Sequence, residues 1–285
     1  MKVFNFLIKT NLYLAISSIF LLLETQILLG ARLQFHAWMI LVFLGVLIEY
    51  NLNKIFKFLY TENDIKTAKI LSGKEKLIVF FSILLIILVI ITPVIYYAKA
   101  SVIIVIFFSG IVTLLYSFPI NKKNAKQIGL RNLPYMKIFL ISLIWSVITV
   151  VPAALQINDK VVFNEVIFVF IERFIFVFAI TLPFDIRDVN VDRIAGLKTI
   201  PLLIGDKKSL YLSKLSLFLF VFICSIHFMK MNKIEMLLPM IFTFVFTFLA
   251  LTINRIQSMK FYHYGILDGM MIFQGLIIIG FHCIY

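Results

Sequence analysis

Runs of about 20 apolar residues recur along the whole chain, separated by short polar segments, and they leave few folds open. A helix of that length spans the hydrocarbon of a bilayer, where backbone groups must bond within their own segment. Nine spans are expected, at 11–30, 36–58, 77–97, 101–118, 135–155, 163–183, 210–229, 235–254 and 264–284. Composition excludes the soluble alternative, since 62% of the residues are hydrophobic and 14% charged. Mean hydropathy is +1.05. Residues 1–285 therefore read as one polytopic, all-α integral membrane domain, with no soluble domain appended. The 31 phenylalanines read as lipid-facing bulk and packing.

The net charge of +13 raises the possibility of a nucleic-acid partner, but its distribution argues for membrane topology instead. With the N-terminus in the cytoplasm, basic residues gather in the segments 59–76, 119–134 and 184–209 and after the eighth span. The opposite side receives only Arg32, Lys99, Lys160, Lys230 and Lys233. The expectation is a multi-pass protein of a bacterial inner membrane, without a nucleic-acid partner, whose basic loops meet membrane lipids or an anionic substrate. The first apolar run, Leu12 to Leu29, reads as a retained helix rather than a cleaved signal. Cys224 and Cys283 both lie within apolar runs, which points to neither a disulfide framework nor a zinc site.

Acids cluster in one stretch, where Asp185, Asp188 and Asp192 stand at i, i+3 and i+7. On a helix that spacing puts all three on one face. Like charges so placed repel, so a positive partner is expected between them. Mg2+ fits, because it prefers carboxylate oxygens and is often shared with substrate phosphates. Arg187, Arg193 and Lys198 surround the acids and could hold anionic oxygens directly. The competing reading is a solvated loop laced with salt bridges, but the acids follow directly on a membrane-length apolar run.

Polar residues within the expected spans also need partners, because each is costly in hydrocarbon. Glu24, Glu49, the adjacent Glu172 and Arg173, and Asp268 are of this kind. Neighbours on a helix point about 100° apart, so Glu172 and Arg173 are expected to pair with other helices rather than with each other.

The pattern Asp185-x-x-Asp188-x-x-x-Asp192-x-x-x-Gly196-x-Lys198-Thr199, followed by Pro201 and Gly205, resembles the second aspartate-rich motif of the UbiA superfamily of intramembrane prenyltransferases. Leu115-Tyr116-Ser117-Phe118-Pro119, then Arg131, Pro134, Lys137 and Trp145, resembles that family's connection between the fourth and fifth helices. The resemblance implies a bundle of nine transmembrane helices with a central cavity opening to the cytoplasmic side. It implies transfer of a prenyl group from an allylic prenyl diphosphate to a lipophilic acceptor, with Mg2+ as cofactor.

The family's first motif, NDxxDxxxD, is not kept. Ser72-Gly73 sets a register that places Asn51 on the family asparagine and Leu52, Ile55 and Leu59 where aspartates are expected. The family's YxxxK pattern is broken too: Ile120 stands four residues after Tyr116, and the nearest lysines are Lys122 and Lys123. Carried onto this chain, the resemblance implies metal ligation by Asp185, Asp188 and Asp192. Asp188, Asp192 and Lys54 are then the catalytic residues. The diphosphate falls to Asn51, Lys54, Tyr116, Lys122, Arg131, Arg187, Arg193 and Lys198. An ammonium at Lys54, one turn from Asn51, could replace part of the missing metal's charge. Two other readings share the motif: a catalytically degenerate member that binds a prenyl lipid or a partner membrane protein, and a membrane terpene cyclase whose cation closes on its own double bonds.

Overall fold

The computed structural model describes residues 2–61, 98–117, 133–157 and 163–284, and every described element in it is helical. The helices are α1 (Lys2–Lys9), α2 (Leu12–Leu28), α3 (Met39–Thr61), α4 (Ala100–Ser117), α5 (Met136–Gln156), α6 (Phe163–Ile194), α7 (Asp206–Lys230), α8 (Leu237–Thr252) and α9 (Gly269–Ile284). A π-helical segment, Tyr262–Leu267, leads into α9. Helices lie over eight of the nine expected spans; the span at 77–97 falls outside the described residues. Among the described residues, five segments are long and apolar enough to cross a membrane: α5, α6, α7, α8 with the turn before it, and α9 with the π segment. The α1–α2 pair makes a sixth if counted as one bent span, and the apolar parts of α3 and α4 are shorter.

Successive helices are neighbours, and α9 closes on α2, so the described bundle forms a ring. Helix α6 lies between α5 and α7 and contributes the fully buried Phe176, Ala179 and Leu182 to the core. Helix α9 approaches the backbone of α2 closely at Gly275, where a Cβ would stand 2.8 Å from the Phe20 carbonyl oxygen. Glycine at this position lets two backbones meet, a common device of helix contacts in membranes.

Helix α6 runs eleven residues beyond the expected end of its span, so the acid motif lies on a helix rather than in the expected loop 184–209. The apolar run stops near Pro183, but nothing breaks the helix until Gly196, at φ +69°. There Leu197 N–H bonds the Asp192 carbonyl at 2.9 Å and Gly196 N–H bonds that of Arg193 at 3.1 Å, the paired bonds of a Schellman cap. Pro183 itself leaves the carbonyl of Ala179 without its helical donor. The Ser213 hydroxyl of α7 supplies one at 2.5 Å.

The polar residues of the spans pair across helices. Arg173 forms a two-pronged ion pair with Glu24 of α2 at 3.0 and 3.1 Å, and Glu172 meets His227 of α7 at 2.8 Å. As expected, neither partners the other. Between α1 and α2 the chain bends by 82° at Asn11, which adopts φ +60°. That corner is tethered to α3 by Asn51, whose amide accepts from Asn11 and donates to the Thr10 carbonyl, both at 3.1 Å.

Candidate active site

Helices α2 to α6 and the π segment enclose a cavity of about 490 Å³. That is the size of an ordinary small-molecule site. Its walls are mostly aliphatic and aromatic, including Leu41, Val42, Ile106, Ile141, Trp145 and Ile148. Charged and polar groups in the lining include Lys137 from α5, Asp185, Arg187 and Asp188 from α6, Tyr264 and Asp268 from the last span, and Glu49 from α3. An apolar chamber with a charged end suits a ligand with an anionic head and a hydrocarbon tail.

The charged end is assembled by the two devices that terminate α6 and start α5. Once the Gly196 cap turns the chain, the Lys198 carbonyl accepts the Tyr135 N–H at 2.7 Å. This bond holds the start of α5 against the end of α6. Lys137, the second residue of α5, then reaches the acid face. Its Nζ lies 2.7 Å from Asp185 Oδ1 and 2.9 Å from Asp192 Oδ2. Both acids are almost wholly buried, at 2% side-chain exposure each. Buried charges of this kind persist only when paired. Asp185 Oδ2 is also buried, and among the described residues it has no hydrogen-bond partner.

Asp188 is more open, at 29% side-chain exposure, and the guanidinium of Arg187 meets it with two bonds, at 2.8 and 3.1 Å. The same guanidinium lies over the rings of Tyr264 and Phe184, 4.8 and 5.2 Å from their centres. A planar cation so held keeps its outer edge fixed, which a lysine could not do. Deeper in the cavity wall, Trp145 donates to the Tyr50 hydroxyl at 3.4 Å.

The expected site residues are thus brought together only in part. Asp185, Asp188, Arg187 and Tyr116 line the cavity. Asp192 is bound behind them by Lys137 and does not line it. Arg193 and Lys198 are exposed on the surface; the role of Lys198 in the fold lies in its backbone carbonyl. Asn51 is not among the lining residues, and its amide is engaged at the α1–α2 corner. Lys54 lies on α3, but its side chain is outside the described residues, as are Lys122 and Arg131 entirely. Sequence reasoning did not single out Tyr264 for the site, and Lys137 entered only as part of the resemblance. Only the expectation of a positive partner between the acids pointed toward Lys137.

Among the described residues, no three metal-ligating side chains converge. The donor set nevertheless suits one magnesium ion. The unpartnered Asp185 Oδ2 and the carboxylate of Asp188 stand one turn apart on the cavity wall, and magnesium commonly takes one or two carboxylates with water and phosphate oxygens.

No curated protein matches the chain. Among solved structures, it is similar to a digeranylgeranylglyceryl phosphate synthase, with 17% identity, a TM-score of 0.58, and coverage of 98% of this chain and 96% of that one. It is likewise similar to the apo form of a UbiA homologue from Aeropyrum pernix K1, with 16% identity, a TM-score of 0.59, and coverage of 95% and 98%. At such identities the likeness is one of fold. A family model matches residues 61–260, well over half of the chain, and this protein belongs to the UbiA prenyltransferase family.

Proposed function

We propose that the chain transfers a prenyl group from an allylic diphosphate to a lipophilic acceptor within the membrane. The observation that carries this reading is the cavity itself, lined mostly by apolar side chains with the paired charges of Asp185, Lys137, Asp188 and Arg187 in its wall. The diphosphate would lie against the outer edge of the Arg187 guanidinium, whose orientation is already fixed by Asp188 and Tyr264. Mg2+ held by Asp185 and Asp188 would neutralise charge gathering on the leaving diphosphate. The bond from the prenyl carbon to the diphosphate oxygen breaks with its electron pair on oxygen, leaving an allylic cation. The rings of Tyr50 and Trp145 line the chamber, and aromatic rings favour a nearby cation. The aliphatic walls keep water out, so the cation meets the acceptor, which gives up a proton as the new bond forms. The lysine and arginine bias of the loops supports an N-terminus and a polar cavity end on the cytoplasmic side of the membrane.

A non-catalytic binder is the second reading, favoured by the apolar Leu52, Ile55 and Leu59 of α3, whose only acid is Glu49. Binding of farnesyl diphosphate to the purified protein, with and without Mg2+, tests the first reading and then divides the two. Binding that needs Mg2+, falls by about tenfold or more in Asp188→Ala, and is followed by diphosphate release with an acceptor supports the transferase. Tight binding with no release supports the binder. A cyclase would release diphosphate and yield a cyclic hydrocarbon with no acceptor present.

A further inference from the structure

We propose that Lys137 is a resident counter-ion standing where a divalent cation would otherwise bridge Asp185 and Asp192. The acid cluster then seats a single metal ion, on Asp185 and Asp188, and Asp192 is a positioning residue for the lysine. The inference deepens the prenyl-diphosphate reading and rests on it for the ligand of that single ion.

The geometry is that of an occupied bridging site. One Nζ lies within 2.9 Å of oxygens from two carboxylates two turns apart on α6. Its three donors suit such a position, and the ammonium supplies one charge with no need of a fixed coordination shell. The lysine is no loose surface side chain. It is 9% exposed, and the Tyr135 N–H bond to Lys198 fixes the helix that carries it. The first turn of α5 also presents the positive end of that helix to the acids.

Among the described residues Lys137 engages only one oxygen of Asp185, and the orphaned Asp185 Oδ2 marks where the single ion would fit. A buried carboxylate oxygen without a donor is costly unless a ligand completes it. Asp192 has no such opening, because it is bound by Lys137 and lies off the cavity.

The test counts bound Mn2+ by electron paramagnetic resonance on the full-length protein in detergent. It is run with Mn2+ alone and with farnesyl thiolodiphosphate, a slowly ionising donor analogue. The wild type is expected to hold one Mn2+ with the analogue. Lys137→Met is expected to gain a second site, visible with Mn2+ alone as a tightening of about tenfold or more, while Lys137→Arg keeps one ion. Asp192→Asn is expected to leave the count at one, and it decides the matter if Lys137→Met does not fold. Two ions in the wild type, no gain in Lys137→Met, or loss of the ion in Asp192→Asn would each overturn the proposal. If the analogue binds no variant while Lys137→Met still gains Mn2+, the lysine assignment stands and the prenyl-diphosphate reading falls.

Discussion

Arg187 is the side chain whose chemistry is hardest to replace. It grips Asp188 with two bonds, rests on Tyr264 and Phe184, and lines the cavity. Arg187→Lys keeps the charge but loses the fork and the stacking, so donor affinity should fall by about tenfold, the worth of one charge-assisted contact. Isothermal titration with farnesyl diphosphate and Mg2+ would measure it, and an unchanged Kd would remove Arg187 from the diphosphate site. At this scale the sequence was legible where the signal was local. The spacing of Asp185, Asp188 and Asp192 placed them on one helix face and demanded a positive neighbour. It did not show which neighbour, because Lys137 lies 48 residues before Asp185 and meets it only through helix packing. Asn51 shows a second limit of local signals. Its place in the resemblance pointed to the diphosphate, whereas its short amide is consumed by an αL corner at Asn11 that no local pattern announced.

Helices were readable from the apolar runs, but their ends were not, and α6 shows why. Hydropathy stops reporting near Pro183, while the backbone continues to the Gly196 cap because the intervening polar residues are compatible with helix. Those extra turns matter for function, since they put the acids on a rigid support instead of a loop. Continuity through Pro183 depends on a second helix: the Ser213 hydroxyl bonds the Ala179 carbonyl that proline leaves without a donor. Ser213→Ala removes this donor from a buried acceptor. The expected loss is about 1 kcal/mol, within the range found for hydrogen bonds between membrane helices. Thermal unfolding in detergent should show a lower midpoint for Ser213→Ala. Ser209→Ala, which removes a hydroxyl bonded to the carbonyl of Gly205 at the start of its own helix, should change the midpoint less.

The bundle as a whole is tied at two levels. Large side chains such as Phe107, Phe108 and Phe222 are more than half exposed, on surfaces that lipid would cover, so burial of apolar area does not hold the helices together as it would in water. Polar pairs acquire more weight. At one level the acid motif joins α5 to α6 through Lys137; at the other, Glu24, Arg173, Glu172 and His227 join α2, α6 and α7. Arg173 precedes Asp185 by 12 residues on one helix, about 18 Å at the helical rise, so the second tie holds the cavity walls without touching the reacting end. Arg173→Met should therefore be costly, by about 3 kcal/mol, because Glu24 would be left charged, buried and alone. Pairing it with Glu24→Gln removes the stranded charge, and the double variant should recover most of the loss in thermal unfolding. Donor binding by the folded fraction should be little changed in both. If the double variant is as unstable as the single one, the ion pair is not what joins α2 to α6. If donor binding is lost while the fold survives, the two ends of the bundle are coupled, and the cavity's charged end depends on a network running the length of α6.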